Sequence, residues 1–206
     1  MNTNWKWVYN PFERIAGWNA FGIGLIILCI ATIIGYFGNT VFFGISIKTV
    51  RSVTWGQACF LQASGLAILV LVMWVTALLS AKRVRFQDIL GTVTLAKYPL
   101  VLAAIFYGLL SKRLIEIADM ILSAANFQEI IEITHRLTLA DYALFTVLTL
   151  FSILVLVWTI ALLYNAFRVS ANLKGVKCAL LFITALLISE ILINVTIFMF
   201  NIKLKL

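Results

Sequence analysis

Two ionisable side chains stand in stretches that are otherwise apolar. Lys97 lies nine residues past Asp88 and Glu190 thirteen past Lys177, so a helix carries them about 13 Å and about 19 Å from those polar ends. A charge at that depth of a bilayer costs several kcal/mol unless it is neutralised, paired or facing water, so either group is a candidate for moving protons or ions. Asn194 follows Glu190 by four and extends a hydrogen-bonding stripe on one helix face. A direct Lys97–Glu190 pair needs a reach of about 6 Å along the bilayer normal. The tilt of helical side chains points Lys97 the other way, so the expectation is a neutral Glu190 hydrogen-bonded inside a bundle. Pro99, two residues after Lys97, cannot donate to the carbonyl of Leu95 and predicts a kink.

Other chemistry is sparse. The chain has no H-E-x-x-H, G-x-S-x-G, P-loop or dinucleotide fingerprint. His135 is its single histidine; Glu132-x-x-His135 has the spacing of half a di-iron site, which requires a second such pair and further carboxylates. With Arg136, it reads as a solvated ion-pair face. Cys29, Cys59 and Cys178 form no C-x-x-C and fall in apolar stretches, so they read as small buried residues. The expectation is no catalytic residue, no metal and no cofactor.

The elements that hold these residues follow from composition. Of 206 residues, 63% are hydrophobic and 12% charged, with a mean hydropathy of +1.06. Soluble domains run at about 25% charged, so lipid must solvate this chain. A helix needs about 20 apolar residues to cross the hydrocarbon. Five stretches qualify: 19–37, 57–79, 89–110, 139–163 and 178–200. Val147 to Leu163 is continuously apolar rather than alternating, which selects helices over a barrel. The fold expected is an all-α bundle of five transmembrane helices, one membrane domain over 1–206.

The segments between the spans carry their own signals. Residues 5–18 include Trp5, Trp7, Tyr9, Phe12 and Trp18, a composition suited to the membrane–water interface. Asn10, Pro11 and Glu13 predict a capped short helix lying on that surface. Val41 to Ile47 is too short to cross, so it is interfacial or partly re-entrant. Residues 112–137 place Leu114, Ile117, Ile121 and Leu122 at near-helical spacing, as in an amphipathic helix on the bilayer or against the span ends. Thr138 and Asp141 resemble a capping box that opens the fourth span. Ala63-x-x-x-Ala67 and Ala104-x-x-x-Gly108, with Gln57, Gln62 and Ser64, read as helix-packing features.

The net charge of +8 comes from residues scattered over the connections, at headgroup level, which points to anionic lipid rather than nucleic acid. Eight lysines and arginines on the N-terminal side face seven on the other, a slight lean to a cytoplasmic N-terminus.

The run Ala96-Lys97-Tyr98-Pro99-Leu100-Val101-Leu102 resembles the third-span proline region of the Yip family, Rab-interacting membrane proteins of the early secretory pathway and their bacterial relatives. Trp158, Leu162, Leu163, Phe167, Ser170, Lys174 and Lys177 are similar to that family's fourth-span tryptophan and basic connection, and Asn10-Pro11-Phe12-Glu13 looks like the entry of bacterial members. The resemblance covers roughly residues 10–200 and implies five spans, a cytoplasmic N-terminus and a C-terminus outside, in a bacterial inner membrane. Eukaryotic members carry a long N-terminal region with an Asp-Leu-Tyr-Gly-Pro motif. Here 18 residues without that motif precede the first span, which argues against a Rab GTPase partner. The expected function is a non-enzymatic membrane scaffold or adaptor, working through Arg168, Lys174 and Lys177 on anionic headgroups, other membrane proteins or further copies of itself. The rival is a small transporter or permease subunit using Lys97 and Glu190.

Overall fold

The computed structural model describes residues 10–50, 52–80, 84–124 and 126–199. Among these described residues there are seven helices: α1 (Gly17–Phe37), α2 (Trp55–Leu78), α3 (Phe86–Ala96), α4 (Pro99–Ser123), α5 (Phe127–Arg136), α6 (Leu139–Ala171) and α7 (Gly175–Met199). A 3-10 turn, Pro11–Glu13, precedes them, and a two-stranded antiparallel hairpin, β1 (Thr40–Phe43) and β2 (Ser46–Thr49), lies between α1 and α2. Five helical stretches are long and apolar enough to cross a membrane: α1, α2, the combined α3–α4 stretch Phe86–Leu110, α6 and α7. This is an all-α bundle of an integral, multi-pass membrane protein. Large apolar side chains such as Leu154, Ile191 and Phe198 face outward, as lipid solvation requires.

The third crossing is the bundle's innermost: 67% of its most apolar window is buried, against 28–39% for the others. Glycines allow it to be so closely surrounded. A Cβ on Gly24 of α1 would stand 2.6 Å from the Leu95 nitrogen, and one on Gly38 would stand 2.4 Å from the Gly108 Cα. The Ala104-x-x-x-Gly108 pair therefore packs a backbone contact as expected, with Ala104 fully buried. Ala63 and Ala67 do not: both are exposed along a groove shared with α1. The residue of α2 that meets backbone closely is Gly65, where a Cβ would lie 2.6 Å from the Gly44 nitrogen.

Three expectations need correcting. Asn10-Pro11-Phe12-Glu13 forms only a single 3-10 turn, with no side-chain cap from Asn10; its side chain instead donates to Glu13 Oε1 at 2.9 Å. The turn is anchored in the bundle rather than laid on the surface, because Phe12 is 1% exposed within the core cluster of Val93, Leu163 and Phe167. Trp18 is exposed to lipid, while Trp5, Trp7 and Tyr9 lie outside the described residues. Residues 112–123 are not a separate interfacial helix but the continuation of α4. Only α5 is one: it buries none of its residues. Finally, α6 is 33 residues long and continues past Leu163 to Ala171.

Candidate functional site

The third span breaks where the proline predicts. α3 ends with Lys97 as its cap residue, and α4 starts at Pro99. The Leu95 carbonyl that Pro99 cannot serve is taken by the Tyr98 N–H at 3.1 Å, and Leu100 N–H reaches the Lys97 carbonyl at 3.0 Å. The helix thus tightens into 3-10 bonding across the break, which satisfies carbonyls without water. Lys97 is 0% exposed, and its Nζ has no hydrogen-bond partner.

Glu190 is hydrogen-bonded inside the bundle as expected, and its partners are the backbone and side chain of the hairpin. Of the two placements expected for Val41 to Ile47, the hairpin takes the re-entrant one, with Thr40, Val41, Phe42 and Phe43 all buried. Its tip is Gly44, at φ +59, a left-handed conformation that glycine adopts without strain. At that tip the Ile45 N–H donates to Glu190 Oε1 at 2.9 Å and Ser46 Oγ donates to Oε2 at 3.4 Å. Gly65 lies ten residues into α2 and Glu190 nine before the end of α7, so the tip reaches about 14 Å into the helical layer. Non-helical backbone is tolerated at such depth only when protein encloses it and meets its donors. The Glu190 carboxylate does so here. Lys97 lies within electrostatic range of Glu190, but no hydrogen bond joins them. The expected stripe with Asn194 is also absent: Asn194 Nδ2 donates at 2.7 Å to the Glu190 backbone carbonyl, not to the carboxylate.

The second half of α4 carries an ion pair that no local sequence pattern announces. Asp141 and Thr138 form the expected capping box at the start of α6, and Arg113 adds a fork, Nε to Oδ1 at 2.8 Å and Nη2 to Oδ2 at 2.9 Å. That bonding raises the Arg113 pKa above its ordinary value, with Glu116 contributing at 3.1 Å. Tyr142 Oη donates to the Thr134 carbonyl at 2.8 Å, so α5 is tied back to α6. Two residues eight apart across a loop give no local pattern that would announce this.

Glu132 and Arg136 pair at 3.5 Å on the exposed face of α5, as the spacing implied. Among the described residues no group of three or more His, Cys, Asp or Glu could hold a metal. All three cysteines are free; Cys178 is buried but Cys29 is exposed, contrary to the expectation for it. Gln62, 7% exposed, has no hydrogen-bond partner for either amide atom. It stands on the wall of a bilayer-facing groove of about 630 Å³ between α1 and α2.

A polar cavity lies at the end of the bundle that carries the 3-10 turn. It measures about 520 Å³ and is lined by Glu13, Tyr164, Arg168, Asn172, Lys174 and the start of α7 at Gly175. Asn172, at φ +50, ends α6 in a left-handed cap; the Leu173 N–H returns to the Arg168 carbonyl at 3.2 Å. This turn gathers Arg168 and Lys174 on one cleft, while Lys177 follows on the exposed first turn of α7. Among the described residues no carboxylate pairs with these three cations.

No family profile, curated protein or solved structure matches this chain.

Proposed function

We propose that the chain is a non-enzymatic scaffold of a bacterial inner membrane, of the Yip kind, with the Arg168–Lys174 end in the cytoplasm. One observation carries this reading. The Glu190 carboxylate is committed to the hairpin tip and Lys97 is sealed from the outside, whereas Arg168, Lys174 and Lys177 gather at one end of the bundle with no carboxylate paired to them among the described residues. A surface of free cations at headgroup level attracts anionic lipid and acidic segments of other membrane proteins. Self-association through the apolar outer faces of α6 and α7 belongs to the same reading.

The test combines cross-linking from native membranes with flux measurements in proteoliposomes. Partners captured by the wild type but lost on joint replacement of Arg168, Lys174 and Lys177 by Gln, with no solute or proton flux, support the scaffold. A second reading, a small transporter, is favoured by the burial of Lys97 inside the third span without a hydrogen-bond partner for its Nζ, because ionisable groups inside the membrane mark ion paths in many proteins. Flux that vanishes in Lys97→Met would replace the scaffold by that reading.

A further inference from the structure

The cleft at Arg168 is not purely basic, and that decides which ligand it fits. The cleft offers cations: Arg168 one turn beyond Tyr164 on α6, Lys174 in the connection, and the N-terminus of the 25-residue α7, whose first turn has no acidic residue. Free N–H groups and the dipole at such an end favour an anion, above all a phosphate. The 3-10 turn contributes Glu13 to the same cleft. Glu13 Oε1 accepts from Asn10 at 2.9 Å. Although Glu13 lines the same cleft as Arg168 and Lys174, it forms no ion pair with either among the described residues. Tyr164 also lines the cleft.

Opposite charges held apart across one cleft match a ligand whose own charges are held apart. We propose that this cleft binds a lipid headgroup carrying a phosphodiester and a primary ammonium, as in phosphatidylethanolamine. The phosphate sits against Arg168, Lys174 and the first turn of α7, and the ammonium against Glu13 and Tyr164. A purely anionic headgroup leaves Glu13 facing like charge, and a quaternary ammonium offers Glu13 no N–H to donate. The cleft lies at the membrane end of the bundle, so the diacyl tail extends along α6 and α7. This deepens the reading of the basic surface given above, and it rests on that surface facing headgroups.

The experiment is native mass spectrometry of the purified full chain released from micelles with equal amounts of phosphatidylethanolamine, phosphatidylglycerol and phosphatidylcholine of matched chains. The wild type should retain the ethanolamine lipid at least five-fold over the other two. Glu13→Gln should lose about three- to five-fold of that preference while retaining phosphatidylglycerol. Arg168→Gln should weaken retention of the ethanolamine lipid about ten-fold, and Lys174→Gln, at an exposed position, repeats the test where the Arg168 variant does not fold. Phosphatidylglycerol retained as well as phosphatidylethanolamine by the wild type would overturn the proposal in favour of a plain basic patch. Displacement of the lipid by an equal concentration of free phosphoethanolamine would overturn the lipid as the source. Neither outcome bears on flux or partner capture, so the scaffold reading stands or falls separately.

Discussion

The Glu190 carboxylate accepts a hydrogen bond from the Ile45 backbone N–H at 2.9 Å, across 145 residues of sequence. It is the latch of a hairpin that would otherwise present an unmet donor inside the bundle. Glu190→Gln retains an acceptor oxygen and should unfold within about 1 kcal/mol of the wild type. Glu190→Leu leaves the Ile45 N–H unsatisfied and should cost about 1–3 kcal/mol. Thermal unfolding in detergent checks this; equal losses in both variants would remove Glu190 from the hairpin's support.

Gly65→Ala should destabilise by about 1–3 kcal/mol, because its Cβ would stand 2.6 Å from the Gly44 backbone nitrogen, which has no slack to give. Gly22 is the control. A Cβ there meets nothing within 4 Å, so Gly22→Ala in the same assay should be neutral or stabilise by up to about 1 kcal/mol. Similar effects at both positions would mean that the hairpin does not rest on α2.

Lys97→Met removes a fully buried ammonium without a hydrogen-bond partner and keeps most of its volume. Stability should rise by about 2–3 kcal/mol. A lower melting temperature would indicate that Lys97 has a stabilising partner in the membrane.

Arg113→Met should free α5. The variant loses both bonds to Asp141, leaving that carboxylate, 4% exposed, with only Thr138. Hydrogen exchange over Phe127–Arg136 should speed up several-fold while α6 stays protected. Unchanged exchange in α5 would show that the Tyr142 bond alone holds it.

Five crossings put Ser80 and Asn126 at opposite ends of the bundle. Single cysteines at these positions, in a background lacking Cys29, Cys59 and Cys178, should react with a membrane-impermeant maleimide from opposite sides. Labelling from one side only would defeat the five-span topology.

How much of this was legible in the residues depended on the range of the interaction. The spans followed from apolar length, the Thr138–Asp141 box from spacing of three, and the break at Lys97 from the missing N–H of Pro99. Each is local. The hairpin was bounded by length but not placed, because its partner is a carboxylate on the last helix. The continuation of α4 past Lys112 hid behind the change from apolar to amphipathic, since a helix leaving the bilayer changes solvent without changing backbone. Phe12 suited an interfacial anchor as well as a core residue, and only the space left between α3 and α6 decides between them. Charge alone makes Arg168 and Lys174 a basic surface, but Glu13 joins them through packing of the 3-10 turn, which charge counting cannot foresee.

The distance in sequence between Ile45 and Glu190 also fixes an order of events. At about 5–20 residues per second of synthesis, roughly 7–30 s separate the emergence of the hairpin from that of its acceptor. Throughout that interval the tip has no protein group to take its N–H, and hydrocarbon offers none. The hairpin must therefore wait in water at the membrane surface while the second, third and fourth crossings insert and enter only when α7 arrives. A nascent chain stalled before Gly175 should leave residues 40–49 open to proteolysis, and release of the finished chain should close them.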